Sequence, residues 1–565
     1  MAEKLFPQRN PADHHAAGAR SGASLSLHPE HRVLSGAGTG TRHRQPPPAG
    51  AAADPAGLTP LNVLKKFPLS NIRIDLDQTL QILGDLETLV RQTQSAIALI
   101  QQQSILEASA EPWVPLPNLP DLRSIGSYPW QKRTLRLTDP ERASQKRSFL
   151  TDIYLPNPPQ TFDSARLLAP LRPAADAQPA PSSNAPLIVI SHGLGSDRST
   201  YAYLAQQLAS YGFAVAVPEH PGSSSQQIQA LISGGANEVT TPSEFVDRPL
   251  DIHYLLDQLE TLSQTDPRFA GRINLKQVGV IGQSLGGYTA LALAGAEINQ
   301  EQLARDCQNS DTLNLSLLLQ CRALQLPQFK PTFRDDRVKA IIAINPIGSS
   351  LLGKTDLSKI NIPVLIISST ADTVAPALLE QILPFTWLQT SDKYLMLLEG
   401  GTHFSTIDAP NAASRNNQVE LPTELVGPNP RLAYLYVKAI GVAFFKTYVA
   451  EDSPYRSFLS AGYVSSISQK SFPTSFVRSL TAAQLAKIFR EVPLEPPQRD
   501  SMRIPGQASN FGVSTPKSVE SIEHSKIPQT AAAGQSLLIP ALYGASEPLT
   551  GSTKLLPHLT KAKPP

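Results

Sequence analysis

Val280-Ile281-Gly282-Gln283-Ser284-Leu285-Gly286-Gly287 joins two different kinds of sequence. Ahead of it, residues 275–281 form a short apolar run of strand type. Behind it, residues 288–296 are rich in Ala and Leu and predict a helix. Between them stands Gly-x-Ser-x-Gly, the pattern of a nucleophile elbow, which forces a serine onto a tight strand-to-helix turn. Small residues are needed two places either side of the serine, because a Cβ there collides where strand and helix nearly touch. The placement marks Ser284 as a candidate nucleophile.

Such a serine needs a base and an acid, expected after it in the order acid then histidine. Five of the eleven histidines sit in a Gly/Pro/Arg-rich leader and two in a Pro-rich tail. Of the remaining four, only His403 lies beyond Ser284, on Glu399-Gly400-Gly401-Thr402-His403 after a strand-like run at 394–398. Upstream of it, the apolar run 362–368 ends in Ser369-Thr370-Ala371-Asp372, so Asp372 also stands at a strand end. The plainer readings are that Asp372 caps a helix starting near Pro376 and that His403 is a surface loop residue. A further apolar run, 186–190, ends in Ser191-His192-Gly193-Leu194-Gly195. His-Gly-x-Gly lends a backbone N–H to an oxyanion hole, paired with the N–H just after the nucleophile. Those amides belong to Leu194 and Leu285. The alternative is an ordinary Gly-rich turn; no Lys-Ser or Lys-Thr follows, so a phosphate loop fits poorly.

Composition agrees with an enzyme carrying appendages. At 565 residues there is room for two to four domains. Lys and Arg number 49 against 47 Asp and Glu, which gives no electrostatic case for nucleic acid. No apolar run reaches the length of a transmembrane span. No His/Cys/Asp group has ligand spacing, so neither metal nor cofactor is expected. Oligomeric state is not legible.

The chain divides into a disordered leader (1–54), without the apolar core of a signal peptide, and a small helical domain (55–106). A short helix is expected within 58–68. A longer helix follows, with apolar residues at 76, 80, 83, 86, 90, 97 and 100 forming one packing stripe. After a Pro-rich linker (107–126) comes the catalytic domain (127–450). It opens with an antiparallel pair at 133–138 and 148–155. A Pro/Ala/Ser loop then leads into alternating strands and helices: 186–190, 201–211, 214–218, 249–261, the elbow, 338–344, 362–368 and 394–398. Continuous Val/Ile/Leu runs mark parallel strands buried on both faces, so the fold class is α/β with a doubly wound, mostly parallel sheet. A helical extension (451–495) and a disordered tail (496–565) close the chain. An insertion at 297–336 holds Leu313-Asn-Leu-Ser-Leu-Leu-Leu319 and both cysteines, Cys307 and Cys321. It is read as a lid. Its leucines either wall an acyl-binding site or pack the lid onto the sheet, and the cysteines are equally compatible with a disulfide or two free thiols.

Ser191-His-Gly-Leu-Gly195, Ser199-Thr-Tyr201, Leu208-Ala-Ser-Tyr-Gly-Phe213, Pro218-Glu-His220, Asp247-Arg-Pro-Leu-Asp-Ile252, Ile281-Gly-Gln-Ser-Leu-Gly-Gly287 and Tyr128-Pro-Trp-Gln-Lys-Arg-Thr134 together carry a resemblance. They look like the platelet-activating-factor acetylhydrolase and dienelactone-hydrolase branch of the α/β-hydrolases, over roughly 126–405. The segment 55–105 resembles the small domain of unknown function that precedes such a hydrolase in cyanobacterial proteins. The resemblance implies carboxylic-ester hydrolysis, of a short acyl group on a phospholipid, as in lipid degradation. It also implies export, which residues 1–54 do not support, so location stays open. In the plasma-type acetylhydrolases the acid follows the strand after the elbow; that place holds Asn345 here, which cannot carry the charge, and Asp372 is the expected acid. Alternatives are a general short-chain carboxylesterase or lactonase and, outside enzymes, a binding module on a hydrolase scaffold. Ser rather than Cys at the elbow argues against a dienelactone-type nucleophile.

Overall fold

Successive residues of a strand point to opposite faces, so an apolar run without alternation has to be covered on both sides. The computed structural model describes residues 76–115, 119–142, 147–157, 184–308, 313–327, 332–408 and 423–491. In it, Ile341 and Ala343, Val364 and Ile366, and Leu395 and Leu397 enter one core. Their neighbours Ile342 and Ile344, Leu365 and Ile367, and Met396 and Leu398 enter a second core on the other face.

The strands are β1 (Trp130–Thr138), β2 (Ser148–Pro156), β3 (Ala185–Ser191), β4 (Ala214–Pro218), β5 (Ile273–Gln283), β6 (Val338–Ile344), β7 (Val364–Ser369), β8 (Lys393–Leu398) and β9 (Thr474–Val477). They form one sheet in the order β1-β2-β4-β3-β5-β6-β7-β8-β9. The six strands from β4 to β8 in that order run parallel, while β1, β2 and β9 pair antiparallel at the margins.

The first helices are α1 (Leu76–Ala110), α2 (Ala202–Ser210), α3 (Ser225–Ile232), α4 (Glu244–Thr265) and α5 (Leu285–Leu293). In the middle of the chain come α6 (Gln300–Asp306), α7 (Leu315–Gln320), α8 (Ser349–Leu357) and α9 (Leu383–Trp387). The last are α10 (Thr423–Val426), α11 (Pro430–Tyr448), α12 (Ala461–Ile467) and α13 (Ala482–Glu491). Leu255 and Leu259 of α4 and Leu293 of α5 fill the first core; Leu204 and Leu208 of α2 and Ile440 and Phe444 of α11 fill the second. Each such side chain, fully buried, contributes about 1.5–3 kcal/mol. A mostly parallel sheet wound on both faces is the α/β-hydrolase fold that the strand pattern predicts.

Four features depart from or complete the expectations. Helix α4 begins at Glu244 and carries Pro249 in its interior instead of starting there. Proline has no N–H for the carbonyl four residues back. That carbonyl, on Phe245, accepts the Tyr288 hydroxyl of α5 at 2.6 Å, so the missing helical bond is replaced across the interface. Helix α1 buries the row Thr88, Ala96, Ile100 and Ser104, while Leu86 and Val90 of the expected stripe are exposed. The row fits a helix laid along the sheet margin, where Ser104 Oγ accepts the Phe476 N–H of β9 at 3.0 Å. The 451–495 stretch is helical at α12 and α13 but also supplies β9, too short to announce itself by alternation. Cys307 and Cys321 are bridged. The leader, the 58–68 helix, most of the 156–185 loop and the tail fall outside the described residues.

Candidate active site

All six parallel strands end at one edge of the sheet, where helix and loop termini converge. Strand β5 delivers Ser284 to that edge at φ 55°, ψ −118°, with α5 starting at the next residue. A non-glycine residue held in such a conformation costs about 1–3 kcal/mol and persists only where its surroundings fix it. Here the Ser284 N–H donates to Ile344 O of β6 at 2.9 Å. A Cβ on Gly282 would lie 1.8 Å from Gly286 O, and one on Gly286 would lie 2.1 Å from Ser191 O. Both glycines are therefore demanded by backbone contact, as the elbow pattern implies.

Asp372 follows β7 and His403 follows β8. His403 Nδ1 lies 2.6 Å from Asp372 Oδ2, and both residues are almost fully buried. The other carboxylate oxygen, Oδ1, accepts the N–H groups of Val374 at 2.9 Å and Ala375 at 2.7 Å. One carboxylate thus ties down the turn after β7 and contacts the imidazole; the helical turn that follows, Leu378–Ile382, has no side-chain cap, so Asp372 is not its cap. The Ala371 N–H donates to Gly401 O at 2.8 Å, which locks the two loops together. With Nδ1 committed to a carboxylate, Nε2 is the ring nitrogen left to take a proton. The Ser284 neighbour, Gln283, reaches the same loop: its Nε2 donates to His403 O at 3.3 Å.

Asn345, at the end of β6, is buried and sits at φ 42°. Its Oδ1 accepts the Ser369 N–H at 2.8 Å, and its Nδ2 donates to Ser369 Oγ at 3.1 Å and His403 O at 3.3 Å. It pins the ends of β7 and the histidine loop together, a job that needs both a donor and an acceptor. An aspartate supplies only acceptors when ionised.

The candidate oxyanion amides are those of Leu285 and Leu194. Leu285 is the first residue of α5, so its N–H has no partner within the helix. Leu194 lies on the loop after β3, which is curved by the Gly195 N–H donating to Ser223 O at 2.8 Å.

Behind that loop lies a buried polar network that sequence reasoning missed. Ser191 Oγ is 3.0 Å from His220 Nε2, and His220 Nδ1 is 2.9 Å from Asp251 Oδ2. Asp251 also takes both arms of Arg147, with Arg147 Nε at 2.8 Å, and Arg142 Nη1 at 3.1 Å. Glu244 receives Arg147 Nη1 at 2.6 Å and faces Arg248 Nε at 3.5 Å. Arg248, completely buried, donates from Nη1 to His192 O at 2.6 Å and from Nε to Ser223 Oγ at 2.8 Å. Burial draws the Arg248 guanidinium down to about 10, against the pull of Glu244. It remains a cation at neutral pH. Burial, reinforced by Arg248, pushes both His192 and His220 well below the ordinary histidine value, so both are neutral. The sequence held one signal: Glu244/Arg248 and Asp247/Asp251 are four apart on the helix face that also carries Phe245, Ile252 and Leu255. Charges on a core-facing row have to be paired.

The insertion is fastened beside the acid. The Ser316 N–H of α7 donates to Val374 O at 2.9 Å. Glu380 Oε1 accepts from Ser316 Oγ at 2.9 Å and Gln320 Nε2 at 2.8 Å, while its Oε2 takes the N–H groups of Gly348 and Ser349 at the start of α8. Of the leucines, Leu317 is buried and Leu319 packs against the core, whereas Leu315 and Leu318 are exposed.

Residues 168–245 match the family model described as platelet-activating factor acetylhydrolase, isoform II. That stretch holds β3, the Leu194 loop, α2, β4, α3 and the first residues of α4. Ser284, Asp372 and His403 lie beyond it. The match supports an acetylhydrolase-like, α/β-hydrolase assignment and, with the fold, an ester hydrolase of lipase or esterase type. Among the described residues, no helix is long and apolar enough to cross a membrane.

Proposed function

We propose that the chain is a serine hydrolase that cleaves carboxylic esters through an acyl-enzyme, acting on short acyl esters of phospholipid type. The observation that carries the reading is the Asp372–His403 contact of 2.6 Å, on a loop bonded by Gln283 to the sterically enforced elbow that carries Ser284. Ser284 Oγ attacks the ester carbonyl as His403 Nε2 takes its proton. Asp372 holds the imidazole in the Nδ1–H tautomer and stabilises the imidazolium that forms. The Leu194 and Leu285 amides receive the tetrahedral oxyanion, each such donor being worth roughly 10²–10³ in rate. His403 then returns its proton to the leaving alcohol and activates the water that hydrolyses the acyl-enzyme. The short-acyl preference is supported by the acetylhydrolase match; the insertion read as a lid is fastened by the Cys307–Cys321 bridge and by Glu380. The domain division set out from the sequence belongs to the same proposal, with 127–450 as the catalytic part.

Hydrolysis of p-nitrophenyl esters from acetyl to palmitoyl, beside a 2-acetyl phospholipid, tests the substrate. Highest kcat/KM on acetyl esters and turnover of the phospholipid are expected. A preference for octanoyl or longer esters overturns the short-acyl reading, and turnover of acetyl esters without the phospholipid leaves a general carboxylesterase.

A further inference from the structure

A peptide unit is planar and trans, so its C=O and N–H point in opposite directions. The carbonyl of Gly193 and the amide of Leu194 belong to one such unit. Whatever grips Gly193 O therefore aims the Leu194 N–H. Three donors converge on that oxygen: His192 Nδ1 at 2.8 Å, the Ser196 N–H at 3.3 Å and Arg248 Nη2 at 3.5 Å. The histidine is held in the donating tautomer because the His220 N–H occupies its Nε2 at 3.0 Å. Arg248 grips the preceding peptide as well, through His192 O at 2.6 Å. Two consecutive carbonyls of the loop thus rest on one buried cation.

We propose that Arg248 is a positioning residue for the oxyanion side of the site, aiming and polarising the Leu194 amide from behind. The inference rests on the serine-hydrolase reading above. The guanidinium acts in two ways. Its planar fork fixes the orientation of two peptides at once, which a lysine ammonium cannot reproduce. Its charge polarises the hydrogen-bonded peptide chain, so the amide at the far end becomes a stronger donor to a developing oxyanion. The surrounding groups serve this placement. Glu244 and Ser223 hold the Nε edge, while Arg142 and Arg147 occupy Asp251, leaving the Arg248 fork to the loop carbonyls. The effect belongs to the transition state, because an ester's ground-state carbonyl draws little on an oxyanion donor.

The test compares Arg248→Lys, Arg248→Met combined with Glu244→Gln, and His192→Gln, each checked for a wild-type melting transition. Kinetics on p-nitrophenyl acetate are read beside inhibition by an aryl trifluoromethyl ketone, whose hemiketal on Ser284 mimics the tetrahedral oxyanion. The expected result is a kcat loss of about 10-fold to 100-fold with KM nearly unchanged. The inhibition constant should rise by the same factor as kcat/KM falls, with Arg248→Lys the mildest change. Folded variants in which KM and kcat fall together, or in which ketone affinity is unchanged, overturn the proposal. Failure of every variant to fold overturns it too, since the residues are then needed for the fold itself. If wild-type protein hydrolyses no ester and Ser284 takes no fluorophosphonate label, the underlying hydrolase reading has failed. If wild type is active and labelled while the variants match it, the Arg248 proposal alone falls.

Discussion

Among the described residues, two Ser–His–Asp groups stand at the same edge of one sheet; each sets a histidine Nδ1 against an aspartate Oδ2, and they differ in almost everything else. Ser191, His220 and Asp251 are linked at 3.0 and 2.9 Å, with all three side chains sealed from solvent. Ser191 ends a regular strand, and the His220 ring is ringed by Arg142, Arg147 and Arg248, which disfavour any proton it would accept. Ser284 stands on a strained elbow, next to a loop whose histidine is bonded to an otherwise ordinary turn aspartate. If Ser284 is the nucleophile proposed above, a Ser–His–Asp chain of hydrogen bonds is not by itself enough to make one. The serine has to be raised out of the backbone ladder, and the histidine has to be free to gain charge.

Predictions follow from that contrast, the largest first. Ser284→Ala should abolish p-nitrophenyl acetate hydrolysis and fluorophosphonate labelling. Ser191→Ala should keep both within about tenfold and lose only the ~0.5–1.5 kcal/mol of one buried hydrogen bond. Labelling that follows Ser191 in place of Ser284 reverses the assignment. The aspartates should split in the same way. Asp372→Asn should lower kcat by up to about 10⁴, as a wrongly oriented imidazole does, with little change in melting temperature. Asp251→Asn strips Arg147 of its main partner and should cost about 3–5 kcal/mol of stability, read as a fall in the urea midpoint. Equal kinetic damage from both changes would show that the two sites are not functionally distinct.

Asn345→Ala leaves the Ser369 N–H without its acceptor in a buried site, for a cost of about 1–3 kcal/mol. The histidine loop should loosen with it, giving a moderate kcat loss in place of the collapse expected at Asp372. A silent substitution would mean that Asn345 does not hold the loop. The smallest effect concerns pH. His192 and His220 are kept neutral in the fold, so below their ordinary value of 6.5 only the unfolded chain takes up their protons. Their contribution to stability is present above that pH and is lost as pH falls through it, by up to about 1.4 kcal/mol per pH unit for each group. Urea midpoints at about pH 7.5 and 5.5 should separate, and His220→Gln should shrink the gap. An unchanged gap would place the acid sensitivity in other groups.

The strands were legible because burial on both faces leaves uninterrupted Val/Ile/Leu runs, and β6 falls at residues 338–344 as the run itself suggests. The elbow was legible because its two glycines answer a backbone collision that no other residue relieves. Less legible was α4, whose Pro249 reads as a helix start; only the distant Tyr288 hydroxyl explains how the helix continues through it. The packing row of α1 was misjudged because its small and polar members, Thr88 and Ser104, are chosen by the sheet margin they meet rather than by hydrophobicity.

By itself the sequence determined the alternation of strand and helix, the tight turn at Ser284, and the strand-end positions of Asp372 and His403. These are set by neighbours within a few residues, through sterics and periodicity. Only the tertiary structure decided that Asp372 shares its carboxylate between a turn and the histidine, and that Asn345 braces both loops. It also decided that five charged residues, Arg142 and Arg147 ahead of β2 and Glu244, Arg248 and Asp251 on α4, meet the neutral His192 and His220 behind the Leu194 loop. Such charges are tolerable in a core only when partners far apart in the chain converge on them. No local pattern can specify that convergence, because it exists only after the sheet has formed.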